Sequence, residues 1–177
     1  LRHTGLAVEM GSCKMSLLLR RKGGWFSKDY ELMDKDSVVC FMQFDDWRHA
    51  SLLIEGKPYF VRADGRGRWI LEDSGISIAG SQRQGTGPRL TLTVSFDTRS
   101  WLLKPRRKSL MLHHDIWEDD CVVGQITKKI GWWSSGLSVT SPETARIEIV
   151  SFAVWLIGIH GVGTAGKLTA ARAELGL

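Results

Sequence analysis

The sequence predicts a mainly β protein, an antiparallel barrel closed around one hydrophobic helix near the C-terminal end. Three observations carry that prediction. The stretch Ile147 to Gly166, IEIVSFAVWLIGIHGVGTAG, is helix-length and has no Asp, Glu, Lys or Arg from Ile149 onward, in a chain that is 24% charged. The apolar runs before it are short and are broken at strand-like intervals by turn residues. Roughly ten strand-like segments followed by one helix is not the alternation of a parallel sheet. A sheet of that length gains by closing, because closure removes its edges, and a closed barrel needs its interior filled. A rod that is apolar on nearly all sides can fill it.

The segments follow in order. Met15–Arg20 is strand-like and Gly23-Gly24 breaks it. Trp25–Met33, the turn Asp34-Lys35-Asp36 and Val38–Phe44 form a first hairpin; Ala50–Ile54, Gly56-Lys57-Pro58 and Tyr59–Arg62 form a second. Trp69–Glu72 follows the turn around Gly65 and Gly67. Ile76–Ala79 alternates with serine, and Gly80–Pro88 reads as a polar, mobile loop. Leu90–Phe96, LTLTVSF, is the cleanest strand. Ser100–Lys104, Leu110–His114 and Val122–Lys128 complete the set, with Pro105 to Lys108 a basic loop. Trp132 to Gly136 and Ser141-Pro142-Glu143 read as the connection to the rod, Ser141 as its N-cap and Pro142 as its first helical residue. Glu143 then stands near the positive end of the helix dipole. Residues 1–13 read as a loose leader, 14–163 as the barrel domain with its helix at about 143–160, and 164–177 as a short tail.

At 177 residues the chain fits one domain with a sizeable core. A mean hydropathy of -0.11 argues against a polytopic membrane protein. The rod itself has a second reading, a membrane anchor over residues 149–166. Eighteen uncharged residues lie at the lower edge of the spanning range, and four glycines, Ser151, Thr164 and His160 lower their hydrophobicity. Burial is the preferred reading. Cys13, Cys40 and Cys121 are odd in number, with no close pair, which fits neither a disulfide framework nor a zinc knuckle and suits a reducing cytoplasm. The N-terminus lacks a signal peptide's order of features.

A formal charge of +5 gives mild attraction to polyanions. Lys104, Arg106, Arg107 and Lys108 form the densest basic cluster, and Lys128 and Lys129 precede the pair Trp132 and Trp133. Eight tryptophans against two tyrosines is unusual, and indole favours sites with one apolar and one wet side. Basic side chains beside such indoles can hold a phosphate headgroup while the ring sits in a membrane interface. The blander reading is the more common one, in which Lys and Arg solvate strand-joining turns and Trp fills the core. Arg62, Arg66 and Arg68 form a second, weaker patch open to the same two readings. Nucleic acid fits less well, since no reading helix or aromatic strand motif is present.

Gly161 to Lys167 has the G-x4-G-K spacing of a phosphate loop, but Leu168 stands where magnesium needs Ser or Thr. Glycines that end the rod, followed by a short helical tail, account for it better. His113, His114 and Asp115, with Glu118, Asp119 and Asp120, invite a metal reading. Neighbouring strand residues face opposite sides, however, so His113 and His114 cannot easily share an ion. No Ser-His-Asp, Cys-His or paired-carboxylate motif stands out, and no cofactor or metal is expected.

A many-stranded barrel whose hydrophobic helix comes last resembles the Tubby C-terminal-like superfamily, which includes the phospholipid scramblases and LURP-one-related proteins. Ile54-Glu55-Gly56-Lys57-Pro58-Tyr59-Phe60-Val61 resembles that family's early hairpin, and Val122 to Lys128, with Gly124-Gln125-Ile126, its G-x-I strand. Pro142, Phe152, Trp155 and Leu156 echo the start of its helix, the last three as helix core. The likeness covers residues 15 to 160. It implies a closed antiparallel barrel of about twelve strands around a central helix, often binding anionic headgroups at membranes. Neither tubby's phosphoinositide-binding motif nor the scramblase calcium segment has a match here, so no family site carries over.

The expectation is a non-enzymatic binding module, cytoplasmic or peripheral to a membrane, for anionic phospholipid or other phosphate-bearing ligands. Its candidate residues are Lys104, Arg106, Arg107, Lys108, Lys128, Lys129, Trp132 and Trp133. The competing expectations are the membrane anchor and a small enzyme with its site at the barrel mouth.

Overall fold

A computed structural model describes residues 14–23, 28–46, 48–65, 67–85, 90–106, 113–130 and 135–158, without the side chains of 129, 130 and 135. The leader, the tail, His160 and the G-x4-G-K phrase lie outside the described residues.

Twelve strands run in sequence order: β1 Lys14–Lys22, β2 Asp29–Asp34, β3 Ser37–Phe44, β4 His49–Ile54, β5 Lys57–Ala63 and β6 Arg68–Asp73. They continue as β7 Ile76–Gln84, β8 Thr91–Phe96, β9 Arg99–Pro105, β10 His113–Glu118, β11 Cys121–Ile130 and β12 Ser135–Pro142. Each pairs antiparallel with its neighbour, and β12 returns to β1 with Lys14 opposite Pro142 and Leu19 opposite Leu137, which closes the barrel.

Five of the connections are two-residue turns, at 35–36, 55–56, 74–75, 97–98 and 119–120. Each opens on a residue with positive φ, Lys35, Glu55, Ser74, Asp97 and Asp119. That backbone matches the right-handed twist of the flanking strands. All five lie at one end of the barrel, because alternate connections of an antiparallel meander share an end. The longer connections gather at the other, here called the open end.

One helix, α1, covers residues 147–158. It follows β12 at the two-residue-turn end and packs against the strands. Arg146 reaches both Asp97 in the β8–β9 turn (3.3 Å) and Glu148 (2.7 Å), which ties the start of the helix to the barrel end. Residues 149–157 are all buried to within 1%. Phe152, Trp155 and Leu156 are fully buried, as the sequence predicts for the helix core. Around Trp155 stand Phe44 and Trp69 edge-on and Phe152 stacked, at centroid distances of 6.4, 6.5 and 6.3 Å. The inward register of the strands (Leu17, Leu32, Met42, Leu52, Leu71, Leu92, Leu103, Ile126) supplies the rest of the core.

Several expectations need correction. Ser141 and Pro142 do not start the helix; they are the buried end of β12, and the helix begins at residue 147, after the turn at 143–144. Pairing with Lys14 and Met15 of β1 closes the barrel and outweighs a local cap. The connection around Gly136 is likewise strand, with Leu137 and Val139 facing in. Gly80–Gln84 continues β7 against β8. Of the strand expected at Leu110–His114, residues 110–112 lie outside the described residues; His113 and His114 open β10, which runs on to Glu118 with Ile116 facing the core and Lys104 and Pro105 of β9 fixing its register. As to the anchor reading, residues 149–157 lie inside the barrel, and no helix among the described residues is long and apolar enough to cross a membrane.

The outer surface carries its own electrostatics. Glu31 on β2 is 7% exposed and takes hydrogen bonds from Arg20 Nε (3.0 Å) and Nη2 (2.8 Å), with Lys22 at 3.4 Å. The Arg20 hydrogen bonds, opposed by burial and helped by Lys22, hold its carboxyl below the ordinary value of 4.5. Arg99 holds Glu118 down in the same sense. A carboxyl depressed on folding adds stability above its unfolded value, and that stability is lost as pH falls through the folded value. Unfolding free energy should therefore decline below about pH 4.5. Because Arg20 is half-exposed, Glu31→Gln should cost only about 1 kcal/mol at pH 7 and less at pH 3. Urea denaturation at the two pH values reads this out; an equal cost at both would refute it.

Candidate functional site

Strands β9, β10 and β11 lie side by side, so the ends of β9 and β11 at the open end are separated only by β10. That spacing is about 10 Å. Here the structure brings Lys104, Arg106 and Lys128 together. Pro105, expected in the basic loop, ends β9; Arg106 follows it, and its amide donates to the His113 carbonyl (2.9 Å), which pins Arg106 to β10. Lys129 lies in β11 without a described side chain. Arg107, Lys108, Trp132 and Trp133 lie outside the described residues, as does Arg66 of the weaker patch.

The three described cations do not share one face. Leu103 and Trp101 point inward, so Lys104 stands on the outer face, where its ammonium lies 4.4 Å from the centroid of the Trp117 ring. Such a contact holds the amine beside an apolar surface without neutralising it. Arg106 Nε reaches Asp115 Oδ2 at 3.3 Å, also on the outer face, with half of its side chain exposed. Lys128 occupies the inward register of the fully buried Ile126, opposite Leu137, but sits far enough along β11 to be exposed at the rim. No carboxylate among the described residues pairs with it.

Four residues that the charge pattern did not single out as a site join this one. His113, Asp115 and Trp117 share the outer face of β10 through its two-residue period, and Thr127 faces His113 from β11. Thr127 Oγ1 and His113 Nδ1 are 3.3 Å apart, and His113 Nε2 is 3.3 Å from Asp115 Oδ1. The alternation HHDIWE was the available signal. His114 falls on the opposite register, as expected for adjacent strand residues. Among the described residues, no group of three His, Cys, Asp or Glu is placed to hold a metal ion.

Elsewhere the basic patches are spent on pairing. Arg62 binds Glu72 (2.7 Å) and lies near Asp64, which also faces Arg68. This is the turn-solvating role. A surface depression lies at the other end of the barrel, lined by Lys14, Met15, Ser16, Met33, Lys35 and Glu143 among others, with no histidine or cysteine in its described lining. Cys40 and Cys121 are free thiols, and burial pushes Cys40 up to about 11, which makes it inert.

The fold and the site together define a closed twelve-stranded antiparallel barrel filled by the helix 147–158, with Lys104, Arg106 and Lys128 toward its open end and Trp117 on the outer face of β10 beside Lys104. The chain matches no protein-family model, no curated protein and no solved structure.

Proposed function

We propose that the chain is a tubby-like binding module, without an enzymatic role, that recognises anionic lipid headgroups or other phosphate-bearing ligands at a membrane surface. One observation carries the reading: β9 and β11, separated only by β10, deliver Lys104, Arg106 and Lys128 toward a single end of the barrel, with the Lys104 ammonium resting on the indole face of Trp117 from β10. The same end receives the strands that lead into Arg107, Lys108, Trp132 and Trp133. Twelve antiparallel strands closed around the helix 147–158 agree with the architecture that the resemblance implies. A basic group near an anionic surface contributes about 1 kcal/mol.

Co-sedimentation with phosphatidylserine-containing and pure phosphatidylcholine vesicles at low salt tests this. The protein should pellet with the anionic vesicles only, and Lys104→Gln with Lys128→Gln should weaken that binding roughly 30-fold. Equal partition onto both vesicle types would end the lipid reading.

A further inference from the structure

Asp115 is an unusual residue for the outer face of a barrel strand, since it is only 9% exposed. Arg106 Nε donates to Oδ2 at 3.3 Å, and His113 Nε2 lies 3.3 Å from Oδ1. Both contacts are longer than a good charge-assisted hydrogen bond, and Oδ1 has no aligned hydrogen bond at all. Lys104 stands directly opposite Asp115 across the β9–β10 pair, with its ammonium over Trp117. Thr127 offers its hydroxyl on the far side of His113. A guanidinium and an imidazole thus flank one under-bonded carboxylate, with an ammonium on the neighbouring ring of Trp117 and a hydroxyl behind the imidazole. A phosphomonoester carries more oxygens and more charge than a carboxylate, and so could use more of these donors.

We propose that Asp115 is an internal stand-in for a phosphate group, holding Arg106 and His113 in place until a phosphomonoester displaces it. This rests on the anion-binding reading above and adds to it a ligand chemistry and a built-in competitor. The competitor sets a threshold: weakly charged headgroups do not displace it.

The test compares wild type, Asp115→Asn and Glu55→Gln, the last removing the same charge from a turn at the far end of the barrel. The probes are glycerol phosphate, followed by calorimetry, and phosphatidylcholine vesicles containing phosphatidic acid, followed by co-sedimentation. Asp115→Asn should tighten binding about tenfold, while Glu55→Gln changes it less than about twofold. Adding Arg106→Gln to Asp115→Asn should abolish the gain. Tightening toward both probes identifies the phosphate itself as the ligand; tightening toward vesicles alone identifies the lipid, and toward glycerol phosphate alone a soluble phosphate. Equal gains in Asp115→Asn and Glu55→Gln, or none in either, overturn the proposal while leaving anion binding intact. Failure of every variant to bind either probe removes both. Should Asp115→Asn unfold, Arg106→Gln alone decides: it must weaken glycerol phosphate binding about tenfold, and unchanged binding refutes the proposal.

Discussion

Replacing Trp155 by alanine is expected to lower the unfolding free energy by about 3–5 kcal/mol. The indole is fully buried on the helix axis of the barrel, against Phe44, Trp69 and Phe152. Its removal loses transfer free energy and leaves a cavity, because the facing side chains belong to strands locked in a closed hydrogen-bonded ring. Relaxation into the void would have to break that ring. A loss of this size should lower the melting temperature by about 10 °C, as followed by far-UV circular dichroism. Leu156→Ala, one residue further along the same buried helix, should cost about 2–5 kcal/mol. If both substitutions left stability within about 0.5 kcal/mol of the parent, the rod would not be the core of the fold.

What the sequence disclosed follows from how local each signal is. The charge-free run from Ile149 to Ile157 identifies the buried helix without any tertiary information, since only an all-round apolar environment tolerates it. The hairpin turns at Asp34-Lys35-Asp36 and Gly56 are equally local. β12 was hidden because Ser135, Gly136, Ser141 and Pro142 read as linker chemistry, while its strand character comes from pairing with β1 more than a hundred residues away. The period-two placing of Leu137 and Val139 was its only local trace. Gly80–Gln84 was hidden in the same way, its polar residues made strand by pairing with β8. At the candidate site the cations were visible as a run, but their partners were not. That Arg106 meets Asp115, and Lys104 the ring of Trp117, depends on the β9–β10 register, which no local pattern specifies.

A close approach between strands makes Gly124 a sensitive position in the barrel, because the backbone of β12 lies against it. A methyl group there should cost at least about 3 kcal/mol, at the upper end of overpacking penalties. Its backbone has ordinary negative φ, so the requirement is for space and not for conformational freedom. A Cβ at residue 124 would lie 2.2 Å from the carbonyl oxygen of Thr140 and 3.2 Å from Ser141 Cα, both backbone atoms of β12. Side chains can rotate away from such an intrusion; a strand held on both sides cannot. Relief requires β11 and β12 to part where β12 also pairs with β1, so Gly124→Ala acts on the closure of the barrel itself. The shift would also move Thr127 and Lys128, three and four residues along β11. Gly80 in β7 supplies the control, since a Cβ there meets nothing within 4 Å. Gly80→Ala should be neutral or stabilising by up to about 1 kcal/mol. Guanidinium denaturation of the two variants in parallel measures the difference. If Gly124→Ala were as harmless as Gly80→Ala, β11 and β12 could not approach as closely as the structure places them.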